Sequence, residues 1–267
     1  MTAHPSRRLL LAAGLALALH AGAALAQARP EIRVGVTAGP HAEVLEVVRK
    51  VAAERGLTLK VIEFTDYVIP NQALAQKEIE ANSFQHEPYL RNQIAKTGWP
   101  LVPVAKTTAS PQGVYSKKVK SLAELPQGAR VAIANDPSNG ARGLLILHTH
   151  GLIRLKDPAN VAATVADIAE NPKKLRFVEL DAAQIPRSLP DVDLASINNN
   201  YAVQAGLNPA TDALAREPVD GPWVNIIAVR AEDKDKPWVK ELVSAYHSQP
   251  VKDFLETRFK GTYLPTW

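Results

Sequence analysis

The sequence predicts an α/β fold with two lobes, each built on a mostly parallel sheet that helices flank. A strand–helix–strand pattern occurs once near the start of the chain and again near its middle. An extended segment follows each unit. The first is predicted to carry the chain from one lobe to the other, and the second is predicted to carry it back. Because a helix that joins two strands makes them parallel neighbours, each unit is expected to form its own sheet.

The first unit opens with the strand pattern EIRVGV at 31–36. A helix is predicted next, with Pro40 near its start, Gly56 at its end, and apolar residues at helical spacing between them. The segment LTLKVIEF at 57–64 supplies the second strand. These residues therefore predict the first parallel pair of strands.

The second unit repeats this order. Residues 129–134, ARVAIA, and 175–180, LRFVEL, are typical of buried strands. Between them NDPSNGARG contains turn and cap residues, so a helix is predicted from near Asn139 to Gly151.

A chain that leaves one lobe once and returns once makes that lobe discontinuous. The outward crossing is assigned to SPQGVYSKKVKSLAELPQG and the return to WVNIIAVR at 223–230, with two amphipathic helices after it that divide at Pro250. We therefore expect lobe 1 to comprise 27–113 and 228–267, and lobe 2 to comprise 114–227. Ligands of open α/β sheets bind at the carboxyl ends of strands, which indicates an interlobe cleft. The loops expected there are 37–41, 65–70, 84–88, 135–142 and 197–200.

The first 26 residues are typical of a cleaved export signal rather than of a membrane anchor. Arg7 and Arg8 precede an apolar run that is short for a bilayer span and ends in A-L-A at 24–26. We expect cleavage near Ala26-Gln27 and a periplasmic protein, with the Sec or twin-arginine route left open. Loss of both arginines lowers the formal charge from +4 to +2.

Composition excludes several classes of function. The 267 residues contain no cysteine, which excludes a cysteine nucleophile and a thiolate metal site, and predicts a protein without a lipid-anchor cysteine. No dense run of Lys and Arg is present, so no nucleic-acid partner is expected. The histidines of HTH at 148–150 point apart on a helix, which argues against a metal site. We expect no cofactor, no metal, no catalytic residues and a monomer.

Three rings are concentrated in ANSFQHEPYL at 81–90. EIEANSF is interpreted as a strand or as an extended piece leaving the sheet, and Pro88 favours a helix that starts there. In extended backbone Phe84 and His86 point to the same side, and Tyr89 follows in the first helical turn. The rings form either a packed hinge or one wall of a binding site, and this geometry leaves both readings open.

The helix start in NDPSNGARG offers a second candidate. Arg142 is predicted in its first turn, where a cation opposes the helix dipole. An ion pair with Asp136 is one explanation. The other is an anion site, because free N–H groups at the helix start and a guanidinium suit a carboxylate.

Asparagines supply the third candidate. Asn198, Asn199 and Asn200 follow the strand DVDLAS, where they serve either as turn residues or as donors and acceptors for a zwitterion. Asn225 interrupts the apolar pattern WVNIIAV, and its amide requires a partner from the backbone or from a ligand.

Seven segments in collinear order resemble the NlpA family, the methionine-binding proteins of bacterial ABC importers. They are DYVIPNQAL, ANSFQHEPYL, YSKKVKSLAEL, NDPSNGARGLLIL, ENPKKLRFVEL, IPRSLPDVDLASINNNYA and WVNIIAVR. The resemblance implies a type II periplasmic-binding fold that closes over methionine, L or D, and delivers it to a permease–ATPase complex. It implies no enzymatic activity. An alternative ligand is a methionine-containing dipeptide or another apolar amino acid.

The resemblance also implies a ligand site. By match, the ligand's side chain contacts Tyr67, Phe84, His86 and Tyr89. Arg142 holds the carboxylate, and Asn198 and Asn225 hold the amino-acid head group. Typical family members carry a lipid-anchor cysteine that this chain lacks. Asn199 and Asn200 lie in a segment that often contains Thr in the family.

Overall fold

The computed structural model describes residues 31–267, so the predicted export signal and its cleavage point lie outside the described residues. The strands are β1 Ile32–Thr37, β2 Leu59–Phe64, β3 Ala81–His86, β4 Leu101–Lys106, β5 Thr108–Ala109, β6 Gly113–Tyr115, β7 Arg130–Ala134, β8 Arg154–Leu155, β9 Ile168–Glu170, β10 Arg176–Leu180, β11 Leu194–Ile197, β12 Ala215–Arg216, β13 Asn225–Arg230 and β14 Leu264–Pro265. The helices are α1 Pro40–Glu54, α2 Ile69–Ala75, α3 Glu87–Thr97, α4 Pro137–Thr149, α5 Ile185–Ser188, α6 Asn199–Gln204, α7 Pro237–Tyr246 and α8 Gln249–Phe259.

Two five-stranded sheets share one topology. Their strand orders are β2-β1-β3-β13-β4 and β10-β7-β11-β6-β12. In each sheet one strand, β13 or β6, runs antiparallel to both neighbours, and the other four point the same way. The predicted α/β class with mostly parallel sheets is confirmed.

The antiparallel strand of each sheet lies at a crossing of the chain. The first sheet takes its strands from 32–106 and 225–230, and the second takes its strands from 113–216. Strand β13 therefore lies wholly in the first sheet, although the predicted lobe limit falls inside it. The division of the chain into lobes with limits at 113/114 and 227/228 stays a prediction.

Helices cover both faces of the sheets. Val131 and Ile133 of β7 join the apolar cluster beneath α4, whereas Ala132 and Ala134 join the cluster on the opposite face. This alternation arises because successive side chains of a strand point to opposite faces. Helices α1, α7 and α8 pack together on one face of the first sheet. None of the helices in residues 31–267 is both long and apolar enough to span a membrane.

Strand β3 agrees with one of the two interpretations of EIEANSF, that of a strand. It does not leave the sheet but lies at the centre, parallel to β1 and antiparallel to β13. The pairing with β13 joins residues distant in the sequence, which a local pattern does not reveal. Helix α3 begins at Glu87, one residue before Pro88. His86 is extended and accepts a hydrogen bond from the N–H of Tyr89, so it caps the helix.

Helix α4 begins at Pro137 rather than at Asn139. Asp136 is its N-cap and accepts a hydrogen bond from the N–H of Asn139 at 2.9 Å. Arg142 consequently lies in the second turn and not in the first. A Cβ atom on Gly140 would lie 2.8 Å from the carbonyl oxygen of Ala134, so glycine permits the close approach of α4 to β7.

Candidate functional site

A cavity of about 320 Å³ of atom-free space lies between the two sheets, where the strands of each sheet end. All seven residues predicted for the site line it, and so do six others. The lining residues are His41, Tyr67, Phe84, Gln85, His86, Tyr89, Ser110, Asn139, Arg142, Asn198, Asn199, Asn200 and Asn225. Each of the five predicted loops contributes at least one of these residues. The structure therefore brings the predicted residues together in one place.

One side of the cavity is a wall of rings. The ring of Phe84 lies 5.9 Å from that of Tyr67 and 6.1 Å from that of Tyr89, measured between centroids. Phe84 and Tyr89 are buried, and the hydroxyl of Tyr89 donates to the backbone oxygen of Tyr67 at 2.8 Å. Tyr67 also reaches across the cavity, where its hydroxyl donates to Oδ1 of Asn200 at 2.5 Å and its ring packs on Tyr201. The rings therefore form both a wall and a contact between the sheets.

His86 lies where this wall meets the polar end of the cavity. Its Nδ1 accepts from the N–H of Tyr89 at 3.2 Å, so the proton of the neutral ring belongs on Nε2. Nε2 then donates to Oδ1 of Asn139, also at 3.2 Å. Burial, and to a smaller extent the charge of Arg142, lower the pKa of His86 to about 3. Both nitrogens are occupied, so His86 is not available as a general base.

The pKa of His86 predicts a loss of stability in mild acid. In the unfolded chain its pKa is about 6.5, so below that pH the unfolded state binds a proton that the folded state does not. The contribution of His86 is complete above pH ~6.5 and decreases by at most about 1.4 kcal/mol per pH unit as the pH falls towards its folded pKa. Urea unfolding at several pH values gives the free energy of unfolding as a function of pH. Below pH ~6.5 this free energy should fall less steeply with falling pH in His86→Gln than in the wild type. Equal slopes would contradict the buried neutral imidazole.

Arg142 pairs with a residue that the sequence did not indicate. Its Nε donates to Oε2 of Glu217 at 3.0 Å, and its Nη2 also donates to Glu217. Nη2 donates further to the backbone oxygen of Ser110 at 3.1 Å, while Nη1 lies 3.4 Å from Oδ1 of Asn139. Arg142 therefore forms an ion pair, one of its two explanations, but the partner is Glu217 and not Asp136, whose carboxylate caps α4.

Asn139 accepts several hydrogen bonds at the polar end of the cavity. Its Oδ1 receives hydrogen bonds from Nδ2 of Asn198 at 2.7 Å, from Nε2 of His86 and from Nη1 of Arg142. Its own amide nitrogen donates to both carboxylate oxygens of Asp136, which fixes the orientation of the side chain. The sequence around Asn139 indicates only a helix start, since nothing local marks a side chain that joins two sheets.

The asparagines leave part of their hydrogen-bonding capacity unused. Within the described chain, Oδ1 of Asn198, Oδ1 of Asn199 and Nδ2 of Asn200 are buried without a partner. Asn225 is the first residue of β13 and pairs with His86, so it begins the strand rather than interrupting it. Unpaired buried amide groups cost about 1–3 kcal/mol each. A polar ligand in the cavity would supply the partners that these groups lack.

His41 and Ser110 line the cavity but were not among the site residues predicted from the sequence. His41 lies in the first turn of α1, its ring packs edge-on against Tyr263 at 5.7 Å, and burial lowers its pKa to about 4. Ser110 belongs to the crossing segment between the sheets. The loop that contains His41 was predicted for the cleft, so loop position was the available signal. No group of residues suited to hold a metal ion occurs in the part of the chain that the structure describes.

Comparisons with known proteins place this geometry in a family. A profile described as NlpA lipoprotein matches residues 32–267. The chain is 48% identical over 239 residues to the "D-methionine-binding lipoprotein MetQ" of Salmonella typhi, with 88% of each chain covered. It is 46% identical to the protein of that name from Escherichia coli K12, with the same coverage. A solved nutrient binding protein from Burkholderia cenocepacia, bound to methionine, is 56% identical with a TM-score of 0.86, and the match covers 88% of this chain and 100% of that one.

Proposed function

Since the chain belongs to the NlpA lipoprotein family, we propose that it is a solute-binding protein that captures methionine between its two lobes. It delivers the ligand to the permease–ATPase complex of an ABC importer. The role is non-enzymatic, in keeping with relatives that are named for methionine binding.

The observation that carries this proposal is the division of the cavity into two ends. One end presents the rings of Phe84, Tyr89 and Tyr67, against which a thioether gains about 0.3–1.5 kcal/mol per contact. The other end presents a guanidinium and several amides, which suit a zwitterionic head group. Methionine carries both parts in one short molecule.

The proposed contacts are those that the family resemblance implies, and the shared cavity supports them. Tyr67, Phe84, His86 and Tyr89 surround the ligand's side chain. Asn198 and Asn225 hold the amino-acid head group. Arg142 holds the carboxylate.

Glu217 changes how Arg142 binds in this proposal. Because Glu217 occupies the Nε edge of the guanidinium, Nη1 is the nitrogen that meets the ligand. The contact is therefore single, and the two-bond geometry that an unpaired arginine would offer is not used.

Lobe closure is supported by bonds that cross the cleft. Beside the Tyr67–Asn200 and His86–Asn139 contacts, Nδ2 of Asn199 donates to the backbone oxygen of Thr262 at 2.9 Å. Such bonds form only when the lobes meet, so they favour a closed state that buries the ligand. The proposed lobes keep the predicted limits of 27–113 with 228–267 and of 114–227, except that the return crossing is placed before β13 because that strand lies wholly in the first sheet.

We further propose a periplasmic, monomeric protein that is not anchored through a cysteine-linked lipid and binds no nucleic acid. The relatives are named lipoproteins, whereas these 267 residues contain no thiol for lipid attachment.

Calorimetry on protein that has been unfolded and refolded tests the proposal. Refolding removes any ligand that the protein retained during purification. We expect sub-micromolar binding of L-methionine, D-methionine or both, and a raised melting temperature with the same ligand. No binding and no thermal shift with either enantiomer would contradict the proposal.

A methionine-containing dipeptide is the second candidate ligand. A second cavity, lined by Glu217 and Trp223 among others, adjoins the main one at Ser110. Native mass spectrometry of the protein as purified distinguishes the two, because a dipeptide adds the mass of a second residue.

A further inference from the structure

Glu217 lies behind Arg142, on the side away from the ligand cavity. Its side chain is 7% exposed, and it accepts hydrogen bonds from both Nε and Nη2 of the guanidinium. The edge of Arg142 that would bind an anion with two parallel bonds is therefore already occupied by a protein carboxylate.

The position of Glu217 is fixed by the crossing segment. The N–H of Gln112 donates to Oε1 of Glu217 at 2.9 Å, and the N–H of Glu217 donates to the backbone oxygen of Gln112 at 3.0 Å. Both residues flank strands that pair with each other, β6 and β12. A carboxylate held this way keeps its place when a ligand enters.

The cavity without Glu217 would carry a net positive charge. Among the described residues that line it, Arg142 is the one with a fixed charge, and none is Asp, Glu or Lys. The two lining histidines are neutral because burial lowers the pKa of His86 and that of His41. Asp136 is partly buried at the N-cap of α4, where the hydroxyl of Ser138 and the amide of Asn139 donate to its carboxylate. Glu217 balances the charge of Arg142 in a buried ion pair.

We propose that Glu217 determines the charge specificity of the cavity. By neutralising Arg142 it makes the site select ligands that carry one positive and one negative charge, and reject otherwise similar anions. This inference rests on the proposed function, since it names a specificity-determining residue for the same ligand. The physical reason is that a net charge buried between the lobes lacks the solvation it has in water.

Three ligands of nearly the same shape test the proposal by calorimetry. They are methionine, the methionine hydroxy analogue, in which a hydroxyl replaces the ammonium, and methioninamide, in which an amide replaces the carboxylate. Their net charges at mildly acidic pH are zero, negative and positive. We expect wild type to bind methionine at least about a hundredfold more tightly than either analogue.

The Glu217→Gln variant keeps the shape of the side chain and removes its charge. The ratio of the dissociation constant of the hydroxy analogue to that of methionine should fall at least about tenfold, and the same ratio for methioninamide should rise. Glu170→Gln is the matched control, because Glu170 is exposed and forms a surface ion pair with Arg154; its ratios should equal those of wild type.

The outcomes separate this inference from the proposed function. If Glu217→Gln raises the dissociation constants of all three ligands by the same factor, Glu217 is only structural and the inference fails. If wild type binds none of them, the proposed function fails as well. Should Glu217→Gln not fold, Glu217→Asp keeps the charge and moves it by one methylene. This variant is expected to bind more weakly while still preferring methionine, and loss of that preference would overturn the charge role.

Discussion

Replacing Arg142 by alanine is expected to abolish methionine binding and to lower the free energy of unfolding by about 3–5 kcal/mol. The second effect arises because Glu217 would remain buried without its counter-charge. Calorimetry and urea unfolding measure the two effects. Methionine binding that persists at wild-type affinity would mean that Arg142 does not contact the ligand.

Two further variants separate binding from stability. Arg154→Ala removes an arginine from an exposed ion pair, so stability should change by less than about 1 kcal/mol and binding should stay unchanged. In Arg142→Ala/Glu217→Ala no unpaired charge remains buried. We expect that double variant to regain part of the lost stability and still not bind methionine, because the carboxylate contact is absent in both.

Replacing Phe84 by alanine is expected to lower the free energy of unfolding by about 3–5 kcal/mol and to weaken methionine binding at least about tenfold. The ring is 3% exposed and packs against Tyr67 and Tyr89, so truncation leaves a hole in the wall that the thioether would contact. Urea unfolding and calorimetry, under conditions where the variant is folded, measure the two effects.

Phe254→Ala is the control for this variant. Phe254 packs against the core on which α7 and α8 lie, and it does not line the cavity. The same truncation there should reduce stability without changing methionine affinity. A similar loss of affinity in both variants would show that Phe84 acts through stability alone and not by contact with the ligand.

The residues of the cavity were predictable where one short segment determines them. Phe84, His86 and Tyr89 are close in the chain, and their directions follow from extended backbone that ends in a helix. The family resemblance then selected the binding interpretation from two readings that the geometry had left open. All seven predicted residues line one cavity, although their individual roles in binding stay proposals.

Contacts between distant segments were not predictable. Arg142 and Glu217 are 75 residues apart, and the sequence near Arg142 suggested Asp136 instead. Asp136 was unavailable because the start of α4 needs an acceptor for its free N–H groups. His86 and Asn139 are 53 residues apart and meet only where the two sheets face each other.

The sequence by itself determined the two strand–helix–strand units and the α/β class, because hydrophobic period and cap residues act over a few neighbouring positions. It also placed the cleft at the right loops, since strands of parallel units end on one side. The tertiary structure alone decided that β3 is central, that Glu217 neutralises Arg142, and that Asn139 joins the two sheets. Those features depend on which segments become buried together, and burial is a property of the whole fold.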